Sequence, residues 1–551
     1  MKFLFVMLVV CCSLGAASLE AAKIEGGNPK SKRGGTLVYE AYEPNHLNPI
    51  SFNQAGSIEV LSNWVFEKLV DTDVISGEDI PLLAKKWVIS PDGKTFTFTI
   101  DERAKWFDGK PVTPEDVKFS FEVFSMEGAD AAFRKAMAQG LEKIEIIDSK
   151  TVKFVTKEKL FSNFEFITGT IILPKHLYYH TNPEKLKSNE HTKHPRGSGP
   201  YIVQSFEKGN GTVLVKNPNY WAHVLPQNKY SYNFNRIEIK YIRDAQMAFE
   251  KLKKGDLDYM PIRIGNTELW RQTKTDKAFT SGKVKPVAVS NKYQQGYGFI
   301  GFNLRSEIFK DINVRKALGL AINREEIIKK SLDGMANIPF APLFSVDNFD
   351  GKFVPQKFNQ TEALALLAKS GWADSDGDYV LDKNGKKFQF AVLVPNARIE
   401  KEMLFVQDYW KQIGVDVTVK ILEYSTWKQL QNERKFDALS NGKNRSFMAK
   451  GVDAYGEWHS DNDKPGLNNF YGFRNAKADK LILEARSELN AKKRKKLLSQ
   501  VDDIIANEYV MFLYSESKAS LHGIQNTVGL PSFQGKIWYP YDLGMKYWWK
   551  N

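Results

Sequence analysis

Between Phe388 and Ile421 the chain is first apolar, then amphipathic, then alternating, and that order leaves few folds open. Phe388 to Val394 is an apolar extended run. Arg398 to Gln412 reads as a helix, with Val406, Trp410 and Ile413 at helical spacing. Val415, Val417, Val419 and Ile421 then alternate with Asp416, Thr418 and Lys420. A period of 3.6 flanked by extended runs predicts strand, helix, strand. A connection of that length joins two parallel strands by a right-handed crossover.

The same logic recurs upstream. Gly34-Gly35-Thr36 opens a strand from Leu37 to Tyr42. Trp87 to Ile89, the turn Ser90-Pro91-Asp92-Gly93 and Thr95 to Ile100 make a hairpin, with Phe96, Phe98 and Ile100 on one face and Thr95, Thr97 and Thr99 on the other. Thr113-Pro114-Glu115-Asp116 starts a helix. Thr113 caps it, Pro114 sits where no amide hydrogen is needed, and Asp116 reaches back to the cap. Short strands mixed with helices over 551 residues predict several α/β lobes. Such lobes bind ligands where loops from the sheet ends converge.

The first residues indicate export. Lys2, the apolar run Phe3 to Val10 and the small residues Gly15 to Ser18 form a secretory leader, expected to be cleaved near Ala17 to Ala22. Both cysteines, Cys11 and Cys12, fall inside it. Cys11 follows Val9 and Val10 rather than a small residue, so a free rather than lipid-anchored product is expected. The cleaved chain then has neither a disulfide nor a thiolate metal site. A net charge of +13 is spread along the chain rather than gathered in a stripe, which favours a solvated basic surface over nucleic-acid binding.

The catalytic signatures fail in turn. Gly197-Ser198-Gly199-Pro200 lacks the spacing of a nucleophile elbow. Neither a phosphate-binding glycine loop nor His-Glu-x-x-His occurs. His176 and His180 share a helical spacing without an evident third ligand, and His191 and His194 lie in a polar loop, so both pairs read as surface histidines. Asp374-Ser375-Asp376-Gly377-Asp378 begins like a calcium loop, but Tyr379 and Gly385 stand where that loop needs glycine and glutamate; a polar hairpin turn is expected instead.

An ordered series of segments carries a resemblance. It includes Gly35-Thr36-Leu37 with His46-Leu47-Asn48-Pro49, Val65-Phe66-Glu67-Lys68-Leu69, Pro81-Leu82-Leu83-Ala84, and Trp106-Phe107-Asp108-Gly109-Lys110-Pro111-Val112-Thr113-Pro114-Glu115-Asp116-Val117. Gly199-Pro200-Tyr201, Asn217-Pro218-Asn219-Tyr220-Trp221, Gly255-Asp256-Leu257-Asp258, Asn313 to Leu318 and Ile413 to Val417 follow in order. Together they resemble the bacterial extracellular solute-binding proteins of family 5, the oligopeptide- and dipeptide-binding components of ABC transporters. Asn219 to Phe249 and the ending Tyr547-Trp548-Trp549 look most like the YejA-like branch.

The resemblance implies a two-lobed periplasmic-binding-protein clamp, type II and of the large cluster C kind, with an extra domain inserted in the first lobe. The expected division is a signal peptide over 1–22, a first lobe built from 23–56, 192–295 and 522–551, an inserted domain over 57–191 and a second lobe over 296–521. It implies a monomeric, non-enzymatic periplasmic protein without cofactor or metal. That protein would take a peptide or peptide-like ligand and deliver it to an ABC permease in the cytoplasmic membrane. Glu43, Trp427 and Arg434 match ligand-contacting places in the family. The family's Trp-x-x-Asp, whose aspartate holds the ligand amine, is missing after Phe436-Asp437; a basic stretch from Lys443 to Lys450 stands there. Asp453 is the nearest carboxylate, Trp458 comes later, and Arg445 becomes a candidate contact for an anionic group. The alternatives are an envelope peptide or murein hydrolase, a sensory or chaperone-like binder, and a binder of oligosaccharide, nickel or haem.

Overall fold

The computed structural model describes residues 27–50, 55–73, 76–125, 138–179, 190–263, 266–289, 296–443, 452–531 and 543–551. The leader with both its cysteines, His180 and Arg445 lie outside these ranges.

Strand β1 (Thr36–Glu40) ends two residues earlier than its sequence pattern predicts. The chain then builds a separate module. Strands β2 (Ala84–Ile89), β3 (Thr95–Ile100), β4 (Leu141–Ile146) and β5 (Thr151–Thr156) form a sheet in the order β2-β3-β5-β4, accompanied by helices α1 (Pro114–Ser125) and α2 (Phe161–Gly169). The β3 alternation is realised: Phe96, Phe98 and Ile100 are buried while the threonines between them stay partly exposed. Gly93 closes the β2–β3 turn at φ +71°, a left-handed conformation that side chains with a Cβ resist. The start of α1 is a capping box, with the Thr113 amide donating to Asp116 Oδ2 at 2.9 Å.

The chain returns through β6 (Tyr201–Glu207), β7 (Gly211–Lys216), β8 (Arg236–Lys240), β9 (Tyr259–Ile262) and β10 (Val284–Val289). It then enters a second lobe with β11 (Tyr297–Phe302), β12 (Ala336–Asn337), β13 (Gln389–Val394), α3 (Ala397–Lys411), β14 (Asp416–Ile421), α4 (Tyr424–Glu433) and β15 (Ala438–Lys443). Helices α5 (Ala476–Ser487) and α6 (Ala491–Asn507) and strand β16 (Met511–Ser517) complete it, and β17 (Ser520–Gln525) goes back to the first lobe. That last strand begins at Ser520, so Ser520 and Leu521 belong to the first sheet rather than to the second lobe.

Two sheets result, a seven-stranded one ordered β10-β17-β9-β1-β8-β7-β6 and a six-stranded one ordered β12-β16-β11-β15-β13-β14. The unit from Phe388 to Ile421 is the parallel pair expected, Gln389 opposite Asp416 and Val394 opposite Ile421, with α3 as the crossover. Trp410 of α3 is fully buried beneath it and donates its indole N–H to Leu318 O at 2.9 Å. Each lobe encloses its own apolar cluster, and so does the inserted module. No helix among the described residues is long and apolar enough to cross a membrane.

Candidate functional site

Strand directions decide where the two lobes can share a ligand. In the first sheet β1 runs parallel to β8 and β9, and β17 runs antiparallel to both β9 and β10. The carboxyl end of β10 and the amino end of β17 therefore lie on the edge where β1, β8 and β9 finish. In the second sheet β13 is parallel to β14 and β15, while β11 is antiparallel to both β15 and β16. The amino end of β11 and the carboxyl end of β16 thus lie where β13, β14 and β15 finish. Tyr297, which opens β11, sits in register with Lys443 at the end of β15 and with Glu516 near the end of β16. Both crossings, β10 to β11 and β16 to β17, consequently join carboxyl edge to carboxyl edge. In α/β sheets that edge is where loops converge on ligands.

On the first sheet's edge the ends of β1, β8 and β9 bring charged and aromatic groups together. Arg263 donates to both oxygens of the buried Glu40 carboxylate at 3.1 Å. Its guanidinium lies 4.1 Å from the ring centre of Tyr42, which is 59% exposed. Burial pushes the Glu40 carboxyl above its ordinary value, opposed by Arg263. Glu43 accepts from the Gly209 amide at the β6–β7 turn and, at 3.3 Å, from Arg243 just after β8. The Gly209 amide and then Arg243 hold its carboxyl below the ordinary value, so it is an anion that already has partners.

On the second sheet's edge, Arg398 opens α3 and reaches Glu402 Oε1 at 2.7 Å, while Tyr514 Oη donates to Glu402 Oε2 at 2.7 Å. Burial raises the Glu402 carboxyl, with Arg398 and Tyr514 opposing. Lys443 pairs with Glu457. Tyr424, 57% exposed at the start of α4, stacks on Trp427 with ring centres 6.0 Å apart and planes 17° from parallel.

The residues singled out from sequence separate into distinct roles. Glu43 lies on the first edge. Trp427 is 3% exposed, and its indole N–H is taken by Leu393 O at 3.1 Å, so its outer neighbour Tyr424 is the ring that faces solvent. Arg434 adopts φ 59° at the end of α4 and straps that turn to the loop beyond Asp463, donating to Asn432 O at 2.9 Å and Leu467 O at 3.2 Å. Asp453 accepts from the Tyr455 amide at 3.0 Å and from Arg486 Nε at 3.3 Å. Trp458 is 1% exposed and packs on Tyr471 and Phe473 in a core cluster. Tyr42, Arg263, Arg398, Lys443 and Tyr424 were not anticipated. Tyr42 adjoins Glu43, and Tyr424 is one helical turn before Trp427.

The polar segment at Asp374 is a turn. Asp374 accepts from the Gly377 amide at 2.8 Å and the Tyr379 amide at 3.1 Å. The carboxylates of Asp374, Asp376 and Asp378 can approach within 4.8 Å of one another, but the Lys387 ammonium already lies 2.7 Å from Asp376 and 2.8 Å from Asp378. His176 is bonded to Asp108 at 2.8 Å.

The family model described as bacterial extracellular solute-binding proteins, family 5 Middle, matches residues 79–465. The oligopeptide-binding protein AppA of Bacillus subtilis (strain 168) is 31% identical over 519 residues, covering 91% of this chain and 90% of the relative. The structure of AppA from Bacillus subtilis in complex with a nonapeptide matches with a TM-score of 0.74 at 28% identity, over 95% of this chain and 100% of that one. NikZ from Campylobacter jejuni in complex with Ni(L-His) has the same fold, with a TM-score of 0.73 at 23% identity over 94% of this chain and 99% of that one.

Proposed function

Because the chain belongs to the bacterial extracellular solute-binding proteins of family 5 and has their two-lobed type II α/β clamp, we propose that it captures oligopeptides or peptide-like compounds between its lobes and delivers them to the permease of an ABC importer. It binds and releases without catalysing a reaction. It acts as a monomer in the periplasm after its leader is removed, and the segment Asn219 to Phe249 with the ending Tyr547-Trp548-Trp549 supports a YejA-like assignment within the family. The division into two lobes and an inserted domain is part of the same reading.

The observation that carries this proposal is the meeting of the two carboxyl edges at the crossings. A peptide offers regularly spaced amides with side chains of any kind. A general binder therefore needs exposed rings and fixed polar groups rather than one tailored pocket. Tyr42 and Arg263 supply these on one edge, and Tyr424 and Arg398 on the other. Asp453 is already neutralised by Arg486, which supports a ligand not held by its amine. AppA, with a nonapeptide in its structure, supports peptides as the ligand class.

Mass spectrometry of small molecules co-purified with natively secreted protein tests the proposal. Peptides or peptide conjugates are expected. A sugar or a metal complex as the sole bound species would overturn the peptide assignment.

A further inference from the structure

The lobes meet away from the crossing strands as well as beside them. Near the crossings, Thr267 Oγ1 donates to Ser331 O at 3.5 Å and Arg271 Nε stands 3.3 Å from Asp333. Outside the two sheets, α2 of the inserted module packs against α5 of the second lobe. There the Arg494 guanidinium, in the first turn of α6, lies 4.2 Å from the ring centre of Phe161 at the start of α2. Both residues are buried. Beside them Leu489 closes on the β2–β3 turn: a Cβ added to Gly93 would lie 2.7 Å from Leu489 Cδ1.

No chain connection imposes this contact. The module is entered after β1 and left before β6, both strands of the first sheet. The contact therefore forms when the lobes come together and breaks when they part. Its chemistry suits repeated use. Arg494 Nη1 donates to Glu488 O at 2.9 Å and Leu489 O at 3.2 Å, carbonyls of its own lobe. These bonds fix the planar group, while its flat face is offered to an aromatic ring of the opposite lobe. Separation would strand neither hydrogen bond; it would rehydrate the cation and expose the ring. Burial disfavours the Arg494 charge, and Glu165 on α2 opposes that effect from the module's side.

We propose that Phe161 and Arg494 form a closure latch, which makes Arg494 a positioning residue for ligand capture. The latch sets how long the clamp stays shut without touching what is inside, and it rests on the two-lobed capture reading above. Comparable capture without such a contact would leave the crossings, with the Thr267 and Arg271 contacts beside them, to set the balance between open and closed.

Four variants, Arg494→Ala, Arg494→Lys, Phe161→Leu and the double variant of the first and third, test it on the full chain purified from the cell envelope. Small-angle X-ray scattering reads lobe separation, and release of a fluorescently labelled random nonapeptide pool reads dwell time. Arg494→Ala and Phe161→Leu should each enlarge the radius of gyration without added peptide and speed release roughly 2- to 30-fold, the range of one cation–π contact. Arg494→Lys, which keeps the charge but not the flat face, should fall between the wild type and Arg494→Ala, and the double variant Arg494→Ala with Phe161→Leu should be no worse than either alone. If Arg494→Ala fails to fold because its own carbonyls lose their donor, Phe161→Leu still removes the latch and leaves those bonds intact. Unchanged scattering and release in Phe161→Leu, or fully additive effects in the double variant, would overturn the latch. A wild-type protein that retains no peptide would sink the peptide reading, while the scattering comparison would still decide the latch.

Discussion

Glu67 lies on the segment that leads into the inserted module, buried against the turn Asn217 to Trp221. Tyr220 Oη donates to it at 2.9 Å and Trp221 Nε1 at 2.7 Å, yet burial outweighs both and pushes its carboxyl up to about 7. The folded chain therefore keeps a proton that the unfolded chain has released above its ordinary value of 4.5. Stability contributed by this group is full below that value and is lost as pH rises through 7. Glu67→Gln should flatten the dependence, removing a loss of at most about 3 kcal/mol between pH ~5 and ~8, read from urea unfolding midpoints. The paired aromatics give a second residue-scale prediction. Tyr424→Ala should weaken retention of peptide several-fold and shift stability by less than about 1 kcal/mol, since the ring is exposed. Trp427→Ala should cost roughly 3–5 kcal/mol because it empties a core site and removes the indole donor to Leu393 O. Denaturation and peptide retention, measured on both variants, separate the two roles. From sequence alone both residues are aromatics near one turn; which is inside follows only from the side of α4 that meets the sheet.

Asp116 ties the inserted module together at the scale of elements. Its carboxylate accepts from the Thr113 amide at 2.9 Å, the Lys175 amide at 2.8 Å and Trp106 Nε1 at 3.3 Å, joining the start of α1 to two distant segments. The bond to Thr113 is local and was legible as a capping box. The bond to Lys175 spans 59 residues and was not. Asp116→Ala should destabilise the module by about 2–4 kcal/mol, since it removes a cap and leaves buried donors unpaired. Amide exchange should quicken in β3 and β5 while β13 and β14 keep their protection, as expected of a unit with its own apolar cluster. Equal loss of protection in both lobes would show that the module does not open by itself. The turn at Asp374 carries a similar lesson: three alternating carboxylates suggest a cation site, and the cation found there is Lys387, 11 residues from Asp376.

At the scale of the whole molecule, the crossings at residues 289–297 and 517–520 make ligand binding and shape one equilibrium. A ligand held between the carboxyl edges binds the closed form better than the open one. Peptide should thus lower the radius of gyration, and it should raise stability by about 2.7 kcal/mol at a hundred times its dissociation constant. Calorimetric melting over a peptide concentration series checks the second effect; a melting temperature independent of peptide would contradict binding between the lobes.

The periodicity of Phe388 to Ile421, the alternation of Thr95 to Ile100 and the cap at Thr113 determined their elements unaided, because each rests on neighbours within a few residues. Burial of the apolar face is enough to choose helix or strand there. Only the tertiary structure decided that Tyr42 and Tyr424 face outward, that Trp427, Arg434 and Trp458 are spent on packing and straps, and that Arg494 meets Phe161. Those outcomes depend on strand order and on which chain segments cross between sheets, quantities with no local signature. The family resemblance drew attention to the segments around Glu43 and Trp427; the packing of each segment decided which of its side chains is exposed and which is buried.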